Sequence, residues 1–302
     1  RTAVRALVFV LIAALGIGLI SPMLVANNDW DKRHVHGFFL EPEDSLDVVL
    51  IGASQLYTGY SAPLAWQQYG YTSYPLTVSN IPARLYGSLL TEAVDRQHPK
   101  LIVVDIDGFI NDENPETLEA NLRKWIDNIP WSRNRLETIR TCVPRELQTS
   151  FYFNIAKYHT NWYQVGKWVP VQRRLHIMDE TGCSLTTTDP GVFDDVAAVV
   201  GEYGYDLLDL HDAFDTIGLD RCADFIDSDH LNTAGMEIFT AWLGQYLTTH
   251  YDLTGTYSAE LTAMWDRCAA FVTQTLPLCK ELAAANTEQN LNEFSPQFAA
   301  WR

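Results

Sequence analysis

The sequence predicts an α/β domain built on a parallel five-stranded sheet, preceded by one N-terminal transmembrane helix. Three observations carry this. First, apolar runs of strand length alternate with amphipathic helical stretches between residues 47 and 252. That alternation implies parallel strands joined by right-handed crossovers. Second, residues 100–106, KLIVVDI, are almost continuously apolar, as a strand buried on both faces requires. Third, residues 6–26 carry no charge. At 1.5 Å per residue such a run spans roughly 30 Å, the thickness of a bilayer's hydrocarbon core.

Residues 1–27 read as a transmembrane signal-anchor. Arg1 and Arg5 lie just before the apolar run. Positive charge on a short flank holds that end in the cytoplasm, so the acidic remainder is expected outside. A cleaved signal peptide is the rival reading. Against it, the run is longer than a signal core, and Leu24 is a poor residue three before a cut after Ala26. Residues 28–46 are polar and aromatic and read as a juxtamembrane linker.

The domain then runs from 47 to 252. Strands are expected at 47–52, 72–78, 100–106, 183–187 and 205–210. Helices are expected at 62–69, 83–97, 169–180, 192–203 and 233–246. The second helix places Leu85, Leu89, Leu90 and Val94 on one side; the last places Ile238, Phe239, Trp242 and Leu243 at helical spacing. Residues 107–167 form a long insertion rich in aromatic side chains, among them Trp125, Trp131, Tyr152, Tyr158, Trp162 and Tyr163. It reads either as a substrate lid or groove or as a helical satellite core. Residues 253–302 form a helical C-terminal extension expected to pack back on the domain.

The formal net charge of −17 over 302 residues excludes nucleic acid as a partner, because no basic footprint exists to neutralise phosphates. Five cysteines show no metal-site spacing. An outward-facing domain permits disulfides, and the odd count leaves at least one thiol unpaired. Cys268 and Cys279 are the one plausible local pair, and Cys183 reads as a small buried apolar residue. No histidine cluster has metal-ligand spacing and no glycine loop could cradle a phosphate. No metal and no cofactor are expected.

Chemistry is expected from two distant motifs. Near the start, DVVLIGASQ ends a strand at Ser54 and Gln55; near the end, DSDHLN places Asp227 three residues before His230. A serine is a poor nucleophile until a base takes its proton, and that base needs a third group to fix its tautomer. Ser54 as nucleophile, His230 as base and Asp227 as orienter fill the three roles. Ser54 also follows the carboxyl end of a strand, where open α/β sheets bind ligands. Asp229 adds a nearby charge able to stabilise the imidazolium. Asn232 or Thr233 would cap the following helix. The plain alternatives are a turn serine and a structural histidine.

Gly-x-Ser at a strand end together with a distant Asp-x-x-His-Leu-Asn resembles the SGNH/GDSL hydrolase superfamily, over about residues 47–250. The resemblance is to the envelope-associated branch of DltD-like and AlgX-like proteins, and YPLT at 74–77, FYFNIAKYHTNW at 151–162 and HLNTAG at 230–235 contribute to it. It implies a flavodoxin-like three-layer fold. It also implies a membrane-anchored, extracytoplasmic serine esterase or O-acyltransferase acting on acyl esters of cell-envelope carbohydrate or polyol polymers, sometimes beside a multi-spanning membrane acyltransferase. The superfamily supplies oxyanion donors from a glycine after the second strand and an asparagine after the third. Here the glycine position falls on Thr77, with Asn80 close by, and Asn111 stands one residue late in DGFIND. Gln55 is expected to line the pocket and His159 to face a substrate groove or pack structurally. These departures motivate the alternative of a catalytically impaired envelope-binding or accessory protein of an O-acylation system.

Overall fold

The structure is a computed structural model, and it describes residues 1–25, 29–110, 113–164, 190–210, 213–227 and 229–284. Helix α1 (Thr2–Ile20) continues through a 3₁₀ turn at Ser21–Leu24. Together they are long and apolar enough to cross a membrane. The side chains of Leu7, Phe9 and Leu15 are exposed.

The expected linker is not a linker. Residues Asp29–Leu40 form helix α2. Val35 and Phe38 are wholly buried, and the Phe38 ring meets Tyr74 edge-on at 5.6 Å. The Tyr74 hydroxyl donates to the His34 carbonyl at 2.7 Å. Apolar side chains at 35, 38 and 39 make a helical stripe. Charged and histidine neighbours interrupt it in the sequence, so it reads there as polar linker.

Three strands form the sheet in the described residues: β1 (Val48–Gly52), β2 (Ser73–Thr77) and β3 (Leu101–Val104), in the order β2-β1-β3, all parallel. The register pairs Gly52 with Thr77 and Ile51 with Val104. Every residue of β1 and β2 is buried, whereas β3, expected to be buried on both faces, is half-buried and leaves Val104 exposed, because it is paired on one side only among the described residues. Asp47, just before β1, ties the strands together. Its carboxylate accepts from the Thr72 N–H and hydroxyl, pairs with Lys100, and receives the Tyr257 hydroxyl from the C-terminal extension.

Two expected strands require comment. Residues 183–187 lie outside the described residues, as do the expected helix at 169–180 and Cys183. Residues 205–210 are described and form no strand. The Tyr205 N–H turns back to the Val200 carbonyl at 3.2 Å, after Gly204 takes a positive φ of 71°. Tyr205 and Leu208 remain exposed. A strand needs a ladder partner and a buried face; this segment has neither among the described residues.

The crossover helices are α3 (Ser54–Gly59), α4 (Ala62–Tyr69), α5 (Tyr86–Gln97) and, later, α13 (Thr233–His250). The insertion contributes α6 (Asp107–Ile110), α7 (Pro115–Ile126), α8 (Arg133–Cys142), α9 (Gln148–Tyr152) and α10 (Asn154–Tyr158). Much of it is packing. Trp125 is wholly buried and donates to Ser88 on α5 at 2.8 Å, and Leu122, Ile126, Ile139 and Phe151 join the main core. Trp131, Trp162 and Tyr163 stay exposed. Helix α11 spans Pro190–Glu202 and α12 spans Phe214–Ile217. Helix α14 (Ala259–Ala284) packs back on the domain, where Phe271, Val272 and Leu276 meet Leu64 and Met236.

The cysteines do not pair as expected: Cys142, Cys268 and Cys279 are in no disulfide, and Cys222 is disulfide-bonded.

Candidate active site

The site is built at the carboxyl end of β1. Ala53 caps α3 in an extended conformation, so Ser54 is the first residue of that helix. Its N–H therefore has no partner within the helix. The turn is held from beneath by Asp105, just past β3. Asp105 Oδ2 accepts the Ala53 N–H at 3.1 Å, and Oδ1 accepts the Asp107 N–H at 3.0 Å. Burial raises the Asp105 pKa despite those two donors.

His230 comes from the segment between α12 and α13. Phe225 and Leu231 face each other in an antiparallel bridge. The Ile226 N–H donates to the His230 carbonyl at 2.8 Å, and the Asn232 N–H to the Asp224 carbonyl at 2.9 Å. Asn232 then caps α13, accepting from the Ala234 and Gly235 N–H groups, while its amide donates to the Ala223 carbonyl. One residue thus joins the loop's entry to the helix start. Gly235 is required there, because a β-carbon would stand 2.3 Å from the Asp224 carbonyl oxygen.

This frame delivers a complete triad. His230 Nε2 lies 2.8 Å from Ser54 Oγ. His230 Nδ1 lies 2.8 Å from Asp227 Oδ2 and 2.9 Å from Oδ1. Asp227 Oδ1 also accepts the backbone N–H groups of Asp229 and His230, each at 2.9 Å. Partial burial alone would raise the Asp227 pKa, but the Asp229 N–H, the imidazole and the His230 N–H outweigh it and hold the carboxyl below its usual range. An ionised Asp227 accepts a hydrogen bond from Nδ1–H, which keeps the proton on Nδ1 and leaves Nε2 to accept from Ser54.

A second group of side chains closes the site from the α2 side. Tyr57 lies one turn after Ser54 on α3; burial, reinforced by the Asp31 charge, pushes its hydroxyl up to about 12. The Tyr57 ring stacks on His34 at 5.0 Å. Asp31 is buried and accepts the Ser79 N–H at 2.7 Å and the Ser79 hydroxyl at 2.8 Å. Burial raises the Asp31 pKa against those bonds. Sequence reading missed Asp31, His34, Tyr57 and Asp105. Two had a signal: Tyr57 sits at i+3 from Ser54 on a helix, and Asp105 ends a strand beside β1. Asp31 and His34 had none once their segment was read as linker.

The other expected site residues fare differently. Thr77 is wholly buried beside Gly52, and its hydroxyl turns back to the Pro75 carbonyl at 3.5 Å. Asn80 is exposed with a left-handed φ of 50°. Asn111 lies outside the described residues. The side-chain oxygen of Gln55, the residue after Ser54, is buried with no hydrogen-bond partner. His159 ends α10 and is exposed; no hydrogen bond given for the described residues joins it to the triad. Asp227, Asp229 and His230 have ligand atoms within 4.8 Å of one another. Asp227 and the His230 ring, however, are already bonded to each other and to Ser54.

Comparison of the chain with family models, with curated proteins and with solved structures returned no match.

Proposed function

We propose that this chain is a membrane-anchored serine enzyme of SGNH type, acting on acyl esters of cell-envelope carbohydrate or polyol polymers. The observation that carries the reading is the Ser54–His230–Asp227 relay, with 2.8 Å from Oγ to Nε2 and 2.8 Å from Nδ1 to the carboxylate. Other features support it. Ser54 opens a helix at a strand's carboxyl end, and β2-β1-β3 is the start of the flavodoxin-like order. The disulfide at Cys222 suits an oxidising, extracytoplasmic setting.

In this reading Ser54 Oγ attacks the ester carbonyl while His230 Nε2 takes its proton. Asp227 stabilises the imidazolium. The Ser54 N–H, at the start of α3, donates to the developing oxyanion. Collapse of the tetrahedral species breaks the bond to the alcohol, which leaves with the proton from His230. The acyl-enzyme then yields to water, as in an esterase, or to a sugar or polyol hydroxyl, as in an O-acyltransferase working beside a multi-spanning membrane acyltransferase.

The test is fluorophosphonate labelling of the full chain in detergent, beside turnover of a short-chain aryl ester and acyl transfer to polyol acceptors. Labelling of the wild type and its loss in Ser54→Ala is the expected result. A wild type inert in all three assays overturns the catalytic reading in favour of an accessory, envelope-binding role.

A further inference from the structure

A second site lies away from the triad, where α1 meets the insertion. It is a cavity of about 1100 Å³. Its walls are mostly apolar: Ile17 from the end of α1, Phe39 from α2, and Trp131 and Phe153 from the insertion. Ile17, Trp131 and Phe153 are each more than two-fifths exposed, so the apolar surface continues from the cavity onto α1.

The floor is polar and incompletely bonded. Arg135 is 3 % exposed and Asn154 is 5 % exposed, and both line the cavity. One Arg135 nitrogen donates to the Ile129 carbonyl at 2.6 Å, and the guanidinium lies 4.3 Å from the Trp131 ring centroid. Its Nε and Nη2 are buried without a hydrogen-bond partner. So are the side-chain oxygen of Asn154 and Oδ1 of Asp127, the latter also lining the cavity. The other Asp127 oxygen is already taken by Arg123 and Tyr158. Asp127 offsets part of the Arg135 charge, but two buried guanidinium donors without acceptors still disfavour the empty state. The unmet groups are two donors on a cation and two acceptors. The complementary ligand therefore carries an anion and at least one hydroxyl.

We propose that this cavity binds an anionic membrane phospholipid with a hydroxylated headgroup. The phosphate lies on Arg135, and the headgroup hydroxyls donate to Asn154 and Asp127. The acyl chains run over Phe39, Phe153 and Ile17 towards α1. A bilayer holding α1 would present such a lipid at the right place, so the inference rests on the membrane reading of that helix. It is independent of the chemistry at Ser54. Exposed Trp162 and Tyr163 follow α10, which packs on the Ser21–Leu24 turn. Aromatic side chains at that level suit a membrane interface.

The test uses the full chain in detergent micelles and native mass spectrometry, with dioleoyl phosphatidylglycerol as probe. Dioleoylglycerol and glycerol phosphate, which lack the phosphate and the acyl chains respectively, serve as controls. One phosphatidylglycerol per chain is expected to be retained, and neither control. Arg135→Gln should weaken retention at least tenfold, while exposed Arg140→Gln should not. Phe153→Asp tests the apolar wall independently, should Arg135→Gln fail to fold. Binding that survives both Arg135→Gln and Phe153→Asp overturns the proposal. Equal retention of dioleoylglycerol removes the role of the phosphate, and equal retention of glycerol phosphate removes the lipid; either overturns it. Carbonate washing of membranes is read separately. A wild-type chain released by it overturns the membrane source of the ligand, whatever the labelling at Ser54 shows.

Discussion

Gly52 and Asp105 are in such close contact that a β-carbon on the glycine would stand 2.4 Å from Asp105 Cβ. The glycine lets the Asp105 carboxylate reach under the nucleophile turn and hold the Ala53 N–H. Gly52→Ala should therefore displace either Asp105 or the turn. Fluorophosphonate labelling is expected to fall at least tenfold in a chain that still folds. Asp105→Asn keeps an acceptor and should lose less. Asp105→Ala leaves two backbone donors unmet and should cost about 2–3 kcal/mol, measured by denaturant unfolding. An unchanged labelling rate in Gly52→Ala would show that the turn tolerates displacement.

Ser54→Ala should abolish labelling and ester turnover with little change in melting temperature, because it removes one hydroxyl and no apolar packing. Asp227→Asn should leave partial activity, since the base remains but loses its orienting charge. Members of such a unit act non-additively, so Ser54→Ala with His230→Ala should be little worse than Ser54→Ala alone. Asp227 has a folded pKa below its usual 3.8. Its orienting charge is thus present above about pH 4 and is lost as pH falls through the depressed value.

His34 gives a separate pH signature. Complete burial pulls its pKa down to about 4. Between pH 6.5 and about 4 the unfolded chain takes up a proton that the folded chain refuses. Stability from this group therefore falls as pH falls, by about 1.4 kcal/mol per unit across that window. His34→Phe keeps a ring against Tyr57 and removes the titration. Its melting temperature should depend less on pH between 6.5 and 4 than that of the wild type. Parallel curves would show that His34 becomes protonated inside the fold.

Asp47 joins β1 to Thr72, Lys100 and Tyr257. Burial pushes its pKa up, but the Tyr257 hydroxyl, the Thr72 N–H and Lys100 prevail and hold it below 3.8. Its contribution is present above about pH 4 and is lost as pH falls through the lowered folded value. Asp47→Ala should destabilise the chain by about 3 kcal/mol. Tyr257→Phe, which removes one of these bonds, should cost about 1 kcal/mol. Chemical denaturation at pH 7 distinguishes the two.

The triad was legible because its residues carry their chemistry in their types, and because a strand end and a helix cap fix where they point. In the sheet, β1 was legible for a related reason: full burial leaves an uninterrupted apolar run, whereas β2 carries Ser73 and Thr77 and β3 is only half-buried. Residues 205–210 misled because Leu207, Leu208 and Leu210 make an apolar pattern with no ladder partner among the described residues. Helix α2 was hidden by the opposite effect. Its buried face is only Val35, Phe38 and their neighbours, while Asp31 and His34 are buried polar groups that local composition assigns to solvent. Tyr57 and Asp105 needed the three-dimensional turn before their proximity to Ser54 had meaning.

The helix that replaces the expected linker changes what this protein can reach. A flexible tether of that length would let the domain sweep a wide volume of the envelope. Instead α2 follows the apolar helix after only a few residues, is packed against β2, and supplies part of the wall beside Ser54. Ser54 and the segment that follows the apolar helix are thus tied to the same sheet. In a membrane, the serine would work at a fixed height above the lipid surface, and an acyl acceptor lying deeper in the wall would have to come to it.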